Sequence, residues 1–230
     1  MRLGLLTTLW KRHELERAVI EINTKAAKGV CDLEYICVGS EGKESEKVAE
    51  GCVYLEHPNQ PLSDKFQAGA QVAMDMNVDA LMITGSDDLI SRAWFKQAVA
   101  KIEEGYHAVL AQDIYLYTPG SAHLYRPGNI NTGVGATISR SLMRGRKQLW
   151  EPGRTRVIDY SFYQRTLQWA NPWHVVDDVE KCPMIDIKMG TSMWSIEEME
   201  TKVVLTPTPA GKIFSQYFKG ARKKIDNLNT

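Results

Sequence analysis

Two aspartates stand side by side in MITGSDDLIS, residues 82–91, directly after an apolar run, a glycine and a serine. Like charges that close repel one another and resist desolvation, so a strand end gains nothing from such a pair unless a partner offsets it. A divalent ion on a diphosphate is one such partner, because it needs only one or two carboxylates while phosphate oxygens and waters fill its other positions. Adjacent residues on a straight strand point to opposite faces. Beyond Gly85 the chain can turn, so that one of Asp87 and Asp88 ligates while the other bonds a sugar or ribose hydroxyl. The alternative is that one of them caps a helix starting near residue 90, since Asp is a preferred cap.

The elements that would position this pair alternate along the first half of the chain. RLGLLTT (2–8) reads as a strand and 12–29 as a helix, with Leu15, Ala18, Val19, Ile22 and Ala26 at helical spacing and Gly29 as its stop. Strands follow at 33–39 and 51–57, a helix at 61–77, a strand at 79–85, a helix at 91–105 capped by Ser91, and one strand over 107–117. Strands joined by helices of this length need crossovers, which predicts an α/β fold with a mostly parallel central sheet and helices on both faces. Ligands bind such sheets beyond the carboxyl ends of the strands. Thr7, Thr8, Ser86, Asp87 and Asp88 therefore converge on one edge.

After residue 118 the alternation breaks down, and glycine and proline punctuate an irregular acceptor or lid region rather than a separate domain. The reading is one domain over 1–230, with a first half at 1–117 and a second at 118–230 that ends in a basic tail. A chain of 230 residues, 43% hydrophobic, can bury one sizeable core. Lys plus Arg equals Asp plus Glu at 28 each, so overall charge names no partner. No apolar run is long enough to span a membrane and the first residues lack a cleavage site, while Cys31, Cys37, Cys52 and Cys182 show no CxxC spacing. These features predict a cytoplasmic protein with free thiols and no transmembrane segment.

Four segments, GLLTTLWKRHELERAV, NQPLSDKFQAGAQVA, LMITGSDDLIS and GVGATISRSLM, occur in the order and spacing of GT-A-fold glycosyltransferases. The chain resembles the family-2-like group over about residues 2–165. The resemblance implies a GT-A (Rossmann-like) fold and transfer of a hexosyl or pentosyl group from a UDP- or GDP-type sugar donor to an acceptor hydroxyl. It implies Asp88 as ligand of a divalent ion, Mn2+ or Mg2+, and Asp87 near the donor sugar or ribose. Ser86 stands at a motif position that is usually acidic or small. Thr7, Thr8 and Arg12 match the loop that holds the base and ribose, and Asn59 and Lys65 match the stretch facing the nucleotide and diphosphate.

Inverting transfer needs a base beyond the donor sugar. Asp159, in GRTRVIDYSFYQRTL, matches the family's acidic base; a helix cap is its alternative role, and Asp113 is the competing base. Gly133 and Gly135, in NTGVGA, let backbone amides approach a sugar or anion. His123 and His174 are candidate third metal ligands. Residues 140–156 hold six Arg or Lys against one Glu, and 212–224 hold five against no acid, interleaved with Trp150, Phe214, Tyr217 and Phe218. Basic residues among aromatics suit a polyanion. Arg140, Arg144, Arg146, Lys147, Trp150 and Tyr160 are therefore candidate contacts for an anionic acceptor, either DNA with a hydroxylated base or a glycan. A non-catalytic nucleotide-sugar or nucleic-acid binding module is the main rival reading. A nucleotidyltransferase is the other, and it would want a glycine-rich loop after the first strand, which LLTTLWKRHE does not supply.

Overall fold

The run RLGLLTT forms strand β1 (Arg2–Thr8), and its alternation sets the layering. Leu3 and Leu5 point to one face of the sheet and Leu6 to the other, each fully buried. Along the chain follow α1 (His13–Ala27), β2 (Asp32–Gly39), α2 (Lys43–Val48), β3 (Val53–Glu56) and α3 (Leu62–Asp75). Then come β4 (Ala80–Ile83), β5 (Asp88–Ile90), α4 (Arg92–Glu103), β6 (Ala108–Ala111), β7 (Ile114–Thr118) and β8 (Ser121–Tyr125). The remainder adds β9 (Thr137–Ser139), α5 (Arg140–Arg144), α6 (Ile158–Arg165), β10 (Trp173–Val176), β11 (Met184–Ile187) and β12 (Leu205–Pro207). Two helices, Ala210–Tyr217 and Ala221–Asp226, end the described chain. This computed structural model describes residues 1–126, 133–176, 180–189, 196, 199 and 205–228.

Seven strands form the large sheet in the order β10-β6-β9-β4-β1-β2-β3. All neighbours in it are parallel except where β9 runs against β4 and β6. The mixed α/β architecture with a mostly parallel sheet is the one the alternation of elements predicts. Helix α3 covers one face with Phe66, Ala70 and Ala73 against Leu6, Ile36, Val38 and Leu81. Trp150 and Phe162 stack at 4.8 Å on the same side. The opposite face takes Ile20 and Ala27 of α1 and Phe95 and Ala98 of α4.

A second sheet, β12-β8-β7-β11-β5, is mixed. Leu15, Ala18 and Val19 of α1 pack against its Tyr115, Tyr117 and Ile185, and Ile213, Phe214, Phe218 and Ile225 close that core. Helix α1 thus buries residues towards both sheets, which is why its apolar stripe is broad. None of the four cysteines forms a disulfide among the described residues. No helix among the described residues is long and apolar enough to cross a membrane.

Three expectations change. The strand expected over 107–117 is two strands in different sheets, broken at Gln112 and Asp113, where Gln112 N–H donates to the Val176 carbonyl and Asp113 pairs with Arg126. Strands β9 and β10, from the irregular half, lie within the large sheet, so the two halves interleave. Phe214 and Phe218 of the basic tail are core residues, not stacking platforms. Trp150 is likewise buried at 2% exposure.

Gly69 lets α3 approach the sheet. A Cβ there would lie 2.3 Å from Leu6 Cδ1 and 2.7 Å from Val38 Cγ2. Helix propensity alone would favour Gly69→Ala by about 1 kcal/mol. Overpacking of a fully buried contact costs about 1–3 kcal/mol. The substitution should therefore destabilise, and the free energy from a urea unfolding curve checks it.

Candidate functional site

The parallel strands of the large sheet end along one edge, and residues just past β1, β2 and β4 collect there. Lys65 reaches it from α3. Its side chain is fully buried, and Nζ donates to the Leu9 carbonyl at 2.8 Å, to Ser40 Oγ at 2.5 Å and to Asn59 Oδ1 at 3.2 Å. The structure thus brings the sequence-derived pair Asn59 and Lys65 together. Burial lowers the Lys65 pKa to about 8, against the opposing pull of Glu16, Glu41 and Glu56. Glu16, which nothing in its spacing sets apart from a solvated helix residue, is buried and accepts the Trp10 N–H at 2.6 Å. Thr7 is buried at the end of β1 with Oγ1 unpartnered among the described residues, and Thr8 next to it is partly exposed.

The paired aspartates are not helix caps. Ser91 caps α4, its Oγ accepting from Trp94 N–H at 3.1 Å. Asp87 is held by Arg12, Nη1 to Oδ2 at 2.6 Å, while Arg12 Nη2 donates to Ser86 Oγ at 2.9 Å. Asp88 opens β5 and is 3% exposed; its Oδ2 accepts from Gly85 N–H and, at 3.3 Å, from Thr84 Oγ1. A Cβ at Gly85 would meet Asp87 Oδ1 at 2.8 Å and Asp88 Oδ2 at 3.0 Å, so this glycine admits both carboxylates. From α1, the buried Asn23 donates to the Asp88 carbonyl at 2.9 Å and accepts the Ile90 N–H at 2.8 Å.

A third carboxylate completes the group. Asp186 on β11 sits opposite Asp88 in the antiparallel register, and Asp87, Asp88 and Asp186 bring ligand oxygens within 4.8 Å of one another. Lys188, two residues on, binds Asp186 Oδ2 at 2.5 Å. Burial raises the Asp88 pKa well above the usual carboxylate range, and repulsion from Asp186 and Asp87 adds to it. Burial likewise raises Asp186, to about 6, with Lys188 pulling the other way. Burial works against the Lys188 ammonium, but Asp186, Asp87 and Asp88 outweigh it and raise its pKa. Asp186 Oδ1 is buried with no hydrogen-bond partner among the described residues, and a three-oxygen set of this kind fits a hard divalent cation. Neither His123, on β8, nor His174, packed edge-on to Tyr106, belongs to the group.

Sequence reasoning passed over Asp186 and Lys188. The signal was there: MIDIK places two charges two residues apart in an apolar strand, hence on one face.

Asp159 lies in the first turn of α6, whose cap position is Val157. Although exposed as a residue, its carboxyl is crowded by protein and backs onto Gly133, where a Cβ would stand 2.2 Å from Oδ1. That desolvation raises its pKa, opposed by the Gly133 N–H and by Lys188. Asp159 thus abuts Gly133, and Lys188, which pairs with Asp186, also acts on the Asp159 carboxyl. Residues 131 and 132 of the NTGVGA stretch and much of 178–194 lie outside the described residues. Gly135, at φ +69°, gives its N–H to the Ile83 carbonyl and its carbonyl to Trp94 Nε1, so it braces the site rather than facing a ligand.

Other expected residues lie elsewhere. Asp113 pairs with Arg126 at 2.9 Å. Arg140 binds Asp79 at 2.6 Å and Arg144 binds Asn77 at 2.6 Å, both at the amino-terminal end of β4, away from the acidic edge. Arg146, Lys147 and Tyr160 remain on the surface around α6.

No protein-family model and no curated protein sequence matches this chain. Among solved structures, S. aureus TarS 1–349 in complex with UDP-GlcNAc aligns with a TM-score of 0.63 at 14% identity, covering 89% of this chain and 62% of that one. The same TarS segment in complex with UDP gives 0.62 at 12% identity, covering 81% and 60%. This chain has the GT-A fold. It spans about 62% of the TarS segment, and at these identities the likeness is one of fold. A GT-A sheet with its acidic group at the carboxyl edge is the arrangement the four quoted segments imply.

Lys65 supplies a test of this edge. Its amine is neutral in the folded protein above about pH 8 but stays protonated in the unfolded chain to its ordinary 10.5. Between those values unfolding takes up a proton, so stability rises with pH. The parent should gain about 1–3 kcal/mol relative to Lys65→Met from pH 8 to 10.5, read from paired denaturation curves.

Proposed function

We propose that this chain is a glycosyltransferase that moves a sugar from a UDP- or GDP-type donor to an acceptor hydroxyl with inversion. The observation that carries the reading is the convergence of Asp87, Asp88 and Asp186 at the carboxyl edge of a GT-A sheet, with Asp159 against Gly133 and within electrostatic reach of Lys188, the partner of Asp186. TarS of the same fold binds UDP-GlcNAc, which supports a nucleotide-sugar donor here.

Asp88, with Asp87 and Asp186, would hold a divalent ion, Mn2+ or Mg2+, which supplies positive charge beside the leaving diphosphate. Arg12 orients Asp87 and Ser86 towards the ribose or sugar. Lys65 and Asn59 stand next to the nucleotide end of the edge, with Thr7 and Thr8 below the base. Asp159 takes the proton of the attacking hydroxyl as the new C–O bond forms, and the diphosphate leaves with the electrons of the broken glycosyl bond. Its raised pKa makes it a stronger base than an ordinary aspartate. The acceptor is an anionic molecule, a glycan or DNA with a hydroxylated base, because basic side chains flank α6. A single domain serves both substrates, and the protein works in the cytoplasm.

A binding module without chemistry is the second reading. It is favoured by the pairing of Arg12 and Lys188 with two of the three carboxylates. Mn2+-dependent release of UDP or GDP from a panel of nucleotide sugars, with water as acceptor, separates the two.

In that assay Asp88→Asn should abolish release while the melting temperature stays at or above that of the parent, since a buried carboxylate is removed; release at the parent rate would sink the assignment. Gly133→Ala should push Asp159 out of place and lower release about 100-fold, matching Asp159→Asn. Donor-induced thermal stabilisation should survive both changes at Gly133 and Asp159.

A further inference from the structure

The second half of the surface carries an aromatic and cationic groove that the sequence-derived acceptor residues only partly describe. Arg146, Lys147, Gln148, Gln164, Arg165 and Trp169 line it, around a volume of about 470 Å³. Among the described residues no carboxylate lines it. Trp169 is 59% exposed, and the Arg146 guanidinium stands 5.0 Å from its ring centroid. The indole is held in place because Nε1 donates to the Gln164 carbonyl at 3.3 Å. Of the large apolar side chains exposed on the described surface, Trp169 lines the groove and Tyr160 adjoins it through Gln164.

The groove is tied to the candidate base by one helix. On α6, Tyr160 follows Asp159, and Gln164 donates to Tyr160 Oη at 2.7 Å. Five or six residues put the groove about 8–9 Å along the helix axis from Asp159 and about 120–140° around it. A saccharide whose hydroxyl sits at Asp159 reaches the groove by crossing α6 at Tyr160, which is 43% exposed and lies between the two around the helix.

We propose that this groove is an acceptor subsite for an anionic saccharide, one bearing phosphate or carboxylate groups. The proposal rests on the glycosyltransferase reading above and names its acceptor class. Three features favour it. Two guanidiniums and an ammonium without a competing carboxylate attract an anion, and the guanidiniums match phosphate or carboxylate in a forked geometry. The amides of Gln148 and Gln164, with Gln168 beside them, both donate and accept, as pairs of sugar hydroxyls require. An open indole offers a flat apolar face to a sugar ring. Against single-stranded nucleic acid stands size: such tracts occupy at least about four nucleotides on serial rings, whereas this cavity lies in the lower half of the range of small-ligand sites, about 300–1,000 Å³.

The test is direct binding by fluorescence anisotropy at low salt, using a labelled phosphate-bearing mannopentaose, the same pentaose after phosphatase treatment, and a labelled dodecamer of thymidylate. Mannose 6-phosphate as competitor distinguishes recognition of a free sugar phosphate from recognition of an oligosaccharide. The phosphorylated pentaose should bind, more weakly as salt rises, and the dephosphorylated one about tenfold less tightly. Trp169→Ala and Arg165→Gln, both at exposed positions, should each weaken binding about tenfold with far-UV circular dichroism unchanged. Tighter binding of the thymidylate, or equal binding by both variants and the parent, overturns the proposal. Thermal stabilisation by a nucleotide sugar, measured on the same samples, is expected to be equal in parent and Trp169→Ala. If that stabilisation is missing from the parent while the pentaose still binds the groove, the transferase reading fails and the saccharide site stands.

Discussion

Three carboxylates sharing a space under 5 Å across repel one another, and the rest of the candidate site follows from how the chain offsets this. Two cations do so from distant parts of the sequence. Arg12 comes from the loop after β1 and Lys188 from the end of β11. Their charges fix Asp87 and Asp186, while Asp88 relies on the Gly85 amide and on β-pairing. Removing either cation would leave three crowded carboxylates sharing a single counter-charge, and losing one partner of a buried pair costs more than the pair itself contributes.

The two-sheet architecture exists to bring those parts together. The large sheet contributes β4, which ends at Ile83 just before the aspartate turn, while Asp88 on β5 and Asp186 on β11 both belong to the small sheet. The small sheet sets β11 antiparallel to β5, and that register places Asp186 across from Asp88. Helix α1 lies between the sheets and buries residues against both. Glycines do the fine placement: Gly85 makes room for the aspartates, Gly133 for Asp159, and Gly135 adopts a left-handed backbone beneath Trp94.

Much of this was legible from residue order. The apolar alternation of β1 and the helical spacing of α1 and α3 are local signals, and local signals set the large sheet. The edge at which Asp88 and Lys65 would meet follows from parallel crossovers. What could not be read depends on contacts between remote segments. Asp113 looks as good a base as Asp159 until Arg126 is seen to hold it. Arg140 looks like a surface charge until its contacts with Asp79 and the carbonyls beside it appear. Trp150 and Phe214 look like stacking rings in a basic run because nothing local tells an aromatic in the core from one on the surface. Asp186 and Lys188 acquire meaning only through a strand pairing that joins residues almost a hundred positions apart.

Asn23 carries one further consequence. Its carboxamide gives one donor and one acceptor to the backbone at Asp88 and Ile90, as a neighbouring strand would, yet it comes from a helix. Peeling the aspartate turn away from α1 would strand both groups out of water, at about 1–3 kcal/mol each. The turn is therefore preorganised: the entropy of ordering it is lost when the chain folds, and a ligand arriving there has that much less to overcome.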